Sequence, residues 1–156
     1  MDVPPRNAGF GDLYRDHSRA VYRFALGLSG NAAEAEDLTA EAFLRIWEAG
    51  DRLQLASLRA YLLTIVRNLF RQQWRRERRR GEMPEVVAGG SGQNTRDELR
   101  AVLAELQALP EVDRAALLLH VEHELPYSEI AVMLGIDPTT ARTKVHRARE
   151  RLRRVR

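Results

Sequence analysis

Cysteine is absent from the sequence, which excludes disulfide scaffolds, thiolate zinc sites and a cysteine nucleophile together. The absence suits a reducing cytosol, so a cytoplasmic location is expected. No apolar run approaches the roughly 20 residues of a membrane-spanning helix, and no membrane insertion is expected. The opening MDVPPRNAGF lacks the basic and apolar blocks of a secretory signal. No glycine-rich phosphate loop precedes a helix, and no nucleophile elbow is found. His120 and His123 in HVEHE stand three apart, but the pattern is neither H-E-x-x-H nor its inverse, and no third ligand accompanies it. Neither metal nor cofactor is expected, and no catalytic chemistry.

What is present is a core and an uneven charge. The chain has 156 residues, 44% of them hydrophobic, enough for one ordinary domain or two small ones and too apolar for global disorder. The net charge of +3 conceals a segregation. Residues 67–80 hold seven arginines and one acid, and residues 142–156 hold eight cations and one acid. The rest of the chain carries ten cations against twenty acids. Two positive elements on an acidic body fit a polyanion contacted twice, most simply nucleic acid.

Periodicity predicts an all-α protein of two small helical domains joined by a flexible linker, without internal repeats. In the first block, residues 8–80, the series Phe10, Leu13, Tyr14, His17, Val21, Phe24, Ala25, Leu28 forms one helical stripe. Ser29 to Asn31 break it, and Asn31 with Glu34 forms a variant capping box. The next helix turns Leu38, Ala42, Phe43, Ile46 and Trp47 inward, with Gly50 as its terminator. Ser57 is placed to cap a third helix reaching Arg79, with Leu58, Tyr61, Leu62, Ile65 and Leu69 as its apolar stripe. Trp74 continues the four-residue series Val66 and Phe70, so it is expected to pack rather than to stack on a base. Residues 81–95, GEMPEVVAGGSGQNT, carry four glycines and no periodicity and read as the linker. The second block, 96–156, contains four helices, the second of them over EVDRAALLLHVEHE, residues 111–124, behind Pro110.

The last two of those helices form a helix-turn-helix: Ile130, Ala131 and Leu134 face inward, Gly135 turns the chain, and Asp137 with Pro138 starts the final helix. Ala141, Val145, Ala148, Leu152 and Val155 supply its buried stripe. Thr139, Thr140, Arg142, Thr143, His146 and Arg147 come early on the helix, where such motifs meet base edges. Arg149, Arg151, Arg153 and Arg154 come later and suit phosphate.

The stretch LPEVDRAALLLHVEHELPYSEIAVMLGIDPTTARTKVHRARERLRR resembles the C-terminal promoter-reading region of bacterial extracytoplasmic-function (ECF) sigma factors. AEDLTAEAFLRIWEA resembles that family's polymerase-binding helix, and SLRAYLLTIVRNLFRQQWRR its promoter-melting helix, in the family's order. The resemblance implies a protein that binds core RNA polymerase, through the clamp helices of the largest subunit and the flap of the second-largest, and directs it to promoter DNA. It also implies an anti-sigma partner. Residue by residue, it assigns Glu34, Asp37 and Glu41 to core polymerase. It assigns Arg59, Arg67, Asn68, Arg71 and Arg75, with the loop near Ala49 to Ser57, to the opened minus-ten element. It assigns Ser128, Thr139, Thr140, Arg142, Thr143, His146, Arg147 and Arg149 to the minus-thirty-five duplex. The chain departs from the family at Ala40, where many members carry glutamine before the glutamate. A stand-alone helix-turn-helix regulator is the alternative, but it leaves the acidic helix and the first arginine-rich helix without a task.

Overall fold

Amphipathic periodicity resolves into seven helices among the described residues, which are 6–49, 58–81 and 93–154 of this computed structural model. They are α1 (Arg6–Ser29), α2 (Ala32–Ala49), α3 (Leu58–Arg79), α4 (Gln93–Ala108), α5 (Glu111–Val121), α6 (Tyr127–Leu134) and α7 (Pro138–Arg153). Helices α1, α2 and α3 pack on one another through Val21, Phe24 and Leu28, through Leu38, Ala42 and Phe43, and through Leu62, Val66 and Phe70. The α1–α2 corner is closed locally. Gly30 adopts φ +68°, a left-handed turn that glycine enters without strain. The Asn31 side chain accepts the Glu34 amide at 3.0 Å, the cap expected there.

In the second half α5 is the central element, packed on α6 and α7, with seven consecutive buried residues from Asp113 to Leu119. Gly135, at φ +69°, ends α6, and the Ile136 amide reaches back to the Ala131 carbonyl at 3.0 Å. Asp137 stands at the start of α7 with extended backbone, and its carbonyl accepts the Ala141 amide, but its side chain makes no capping bond. Pro138 fixes the first helical φ, so the helix begins without that bond.

Several boundaries and faces differ from the periodic reading. Helix α4 starts at Gln93, inside the segment assigned to the linker. Helix α5 stops at Val121, so Glu122, His123 and Glu124 form a turn, with Glu124 at φ 54°. Tyr61 is 47% exposed, because the buried face of α3 runs through Leu62, Leu63, Val66 and Phe70, one step around the helix. Trp74 is 37% exposed and carries the Arg78 guanidinium over its ring. No described residue of α3 beyond Phe70 is buried, so the helix overshoots the bundle and strands this tryptophan. Gly50, Ser57, most of the 49–57 loop, the body of the linker, and Val155 lie outside the described residues.

The two halves also meet. Their buried side chains form one continuous cluster, and α1 packs against α4 and α5.

Candidate nucleic-acid interface

Ala141, Val145 and Ala148 are fully buried and fix the rotation of α7. Small residues at two of these three positions let the helix lie close on its neighbours, and Lys144 pins it further by an ion pair to Asp113 on α5 at 3.0 Å. The opposite face is consequently exposed. Thr139, Arg142, Thr143, His146 and Arg147 are solvent-facing, and Thr140 is half-buried at their edge. Spaced by three and four residues, they form one strip one helix wide, and Ser128 is exposed in the first turn of α6. Thr143 donates its hydroxyl hydrogen to the Thr139 carbonyl at 3.0 Å, leaving oxygen lone pairs outward. Arg149 departs from the strip. It is half-buried on the flank toward α4 and α5, in a groove with Val102, Leu106, Val121 and Leu152.

The second cationic set lies on α3 and is divided. Asn68 and Arg75 are exposed and Arg71 is half-buried beside them, at steps that share a face. Arg59 is exposed near the other end of α3, and its Nε donates to His17 Nδ1 at 3.3 Å. Arg67 is not offered to solvent. It is only 5% exposed, and its guanidinium grips Glu111 of α5 with both arms, Nε to Oε1 at 2.8 Å and Nη2 to Oε2 at 3.0 Å. The sequence carried one sign of this: an arginine directly after Val66 and three before Phe70 lies beside the buried stripe.

The acidic face of α2 is present, with Asp37 and Glu41 exposed. It is not purely acidic, because the C-terminal turns of α3 bring Gln73, Arg76 and Arg80 to the same shallow groove. Sequence spacing on α2 alone did not reveal these neighbours. Glu34 differs from its two partners. Burial first, then the charges of Glu77 and Asp37, push its carboxyl up to about 7, so it carries only part of a charge at neutral pH.

The histidines show no metal geometry. His120 stacks on Tyr127, with ring centroids 4.5 Å apart, and its Nδ1 meets the Leu125 carbonyl. His123 instead packs edge-on against Phe24 of α1. Among the described residues no cluster of three metal-ligating side chains occurs, and no helix is long and apolar enough to cross a membrane.

Residues 13–80 match the family model for sigma-70 region 2, and residues 99–152 match that for sigma-70 region 4. The chain is 38% identical over 152 residues to the ECF RNA polymerase sigma factor SigE of Mycolicibacterium smegmatis, covering 91% of this chain and 59% of that protein. It is 37% identical to EcfG of Rhodopseudomonas palustris, over 83% of this chain and 75% of that one. It is 34% identical to SigL of Mycobacterium tuberculosis, over 90% and 85% respectively. Among solved structures, the sigma factor RpoE of Bartonella quintana, crystallised with the anti-sigma factor NepR, superposes with TM-score 0.82 at 30% identity, over 94% of this chain and 95% of that one.

Proposed function

Because the chain belongs to the extracytoplasmic-function family of RNA polymerase sigma factors, we propose that each half performs that family's task through the surfaces just described. The protein is a transcription initiation factor that directs core RNA polymerase to promoters. It makes no bonds itself, acts in the cytoplasm, and is held in check by an anti-sigma partner.

The observation that carries the reading is the exposed strip Thr139, Arg142, Thr143, His146 and Arg147 on a helix anchored behind a glycine turn. A helix of this width enters the major groove of duplex DNA, and arginine there can engage a guanine with two hydrogen bonds. Arg59, Asn68, Arg71 and Arg75 hold the opened minus-ten strand, cations serving its phosphates. Asp37 and Glu41, with Glu34 beside them, meet the clamp helices of the largest polymerase subunit. The flap of the second-largest subunit docks on the C-terminal half. A stand-alone regulator would use α6 and α7 but has no use for the α2 face, and the family match runs through both halves.

Gel filtration with bacterial core polymerase, without DNA, tests the assignment. The protein is expected to co-elute at one copy per core. Asp37→Arg, at an exposed position, should abolish co-elution while leaving the helical circular dichroism unchanged. Undiminished co-elution of a folded Asp37→Arg protein removes this residue from the interface.

A further inference from the structure

Most of the contact between the two halves runs through α1, which packs on α4 and α5, but one charged contact reaches an element that the proposed function needs free. Arg67, midway along α3, is covered by Glu111 at the first turn of α5. Eight residues earlier, about 12 Å along the helix, Arg59 lines a cleft whose far wall is Leu125 and Glu129, at the start of α6. The C-terminal half thus caps Arg67 and stands beside Arg59, in the N-terminal part of the segment assigned to the opened strand, and leaves Asn68 and Arg75 exposed.

The manner of covering is informative. A carboxylate held by both arms of an arginine has the fork geometry with which arginine also grips phosphate. Glu111 lies in the first turn of α5, where the helix dipole favours an anion. Beside it the halves are sutured through the C-terminal end of α1. The carbonyls of Gly27 and Leu28 accept from Gln107 at 3.1 and 3.0 Å, and Arg114 donates to Leu28 at 2.6 Å. Carbonyls at a helix end need partners from outside the helix, and water can take the place of these side-chain donors. Gly27 admits the contact sterically: a Cβ there would stand 2.7 Å from a methyl of Leu118. Beside this apolar contact, the polar bonds across the interface are ones that water, or for Arg67 a phosphate, can take over.

We propose that Glu111 is a built-in surrogate for a nucleic-acid phosphate, closing the free protein on itself by occupying Arg67 until a DNA strand or polymerase parts the halves. The masking step rests on the assignment of α3 to single-stranded DNA. Closure itself does not.

The test uses the absence of native cysteine. Dyes placed by Ala33→Cys and Val132→Cys, both accessible and in opposite halves, report closure by energy transfer in the full chain. Two changes should open it. Glu111→Gln removes the anion while keeping the shape, and Gly27→Ile is a charge-neutral wedge against Leu118. Both should lower transfer and bind a fluorescein-labelled oligothymidylate about tenfold more tightly, the scale of one charge-assisted pair. Because Gly27→Ile alters no charge, a gain there cannot come from reduced repulsion. Should the wedge fail to fold, Glu111→Gln alone decides closure. Unchanged transfer in the folded variants overturns the latch. Lower transfer without tighter binding overturns the masking and locates the failure in the assignment of Arg67 to nucleic acid, since the halves would then part with no consequence for DNA.

Discussion

Arg147 and Arg151 are both exposed on α7, one turn apart, yet they belong to different parts of the proposed contact. Arg147 lies in the strip with His146 and Thr143, where a guanidinium can reach a base edge. Arg151 lies near the end of the helix, where phosphate is the natural partner. Arg147→Ala should therefore cost about 1–3 kcal/mol in promoter binding by holoenzyme and relax selectivity at one base position. Arg151→Ala should weaken all sequences alike and reduce the slope of log affinity against log salt by about one. A salt titration of holoenzyme on cognate and scrambled promoters checks both, and identical salt slopes for the two variants would refute the division. The strip was legible in the sequence because Ala141, Val145 and Ala148 fix one face of the helix without ambiguity. Arg149 was not, since it flanks that stripe and falls into a groove shaped by α4 and α5, which periodicity on α7 does not describe.

At the scale of elements, the helices were legible where a single apolar stripe dominates, as on α2, and less so where two stripes overlap. On α3 the series through Tyr61 and Ile65 competes with that through Leu63, Val66 and Phe70, and packing against α1 selects the second. The α4–α5 corner was illegible for a different reason. It is held by one side chain that sequence alone leaves unplaced. Arg114, 6% exposed, donates to the carbonyls of Leu106 at 2.8 Å and Leu109 at 3.1 Å within the corner, and to Leu28 across it. Burial lowers its pKa, with Glu111 opposing, yet a guanidinium starts so far above neutrality that it stays charged at neutral pH. Arg114→Met keeps the volume and leaves these carbonyls without the donor. We expect a loss of about 3 kcal/mol in urea unfolding, and no rescue by Arg114→Lys, whose single ammonium cannot reproduce the fork. A lysine variant as stable as wild type would show that charge, and not the fork, holds the corner.

On the scale of the whole molecule, the composition of residues 81–95 predicts a tether, and no feature of either block announces that the halves dock. Gly27 opposite Leu118 and Arg67 opposite Glu111 are pairings of residues far apart in sequence, and a single sequence gives such pairs no mark. The docked form has a consequence for pH. His123 is wedged against Phe24 of the other half, with Nε2 buried and without a hydrogen-bond partner among the described residues. Its pKa is lowered from 6.5 by burial, then by Arg59 and Arg23, with Glu122 opposing. His17 is lowered likewise by burial and Arg59, against Asp16. The unfolded chain therefore takes up protons at these sites before the folded one does. Stability is lost as pH falls through 6.5, and the loss levels off once the folded histidines also protonate. Glu34 acts in the opposite sense, because its folded value of about 7 exceeds the ordinary 4.5 and its protonation favours the fold as pH falls. The histidine contribution must therefore be read by difference. Urea midpoints of wild type and of a His17→Gln, His123→Gln double variant should stay parallel at neutral pH and diverge below about 6.5, wild type falling faster. Dye-to-dye transfer should decline over the same window in wild type alone, because His123 lies at the contact between the halves. Parallel midpoints down to about pH 5 would mean that these histidines protonate in the docked form at no cost, and that closure is insensitive to acid.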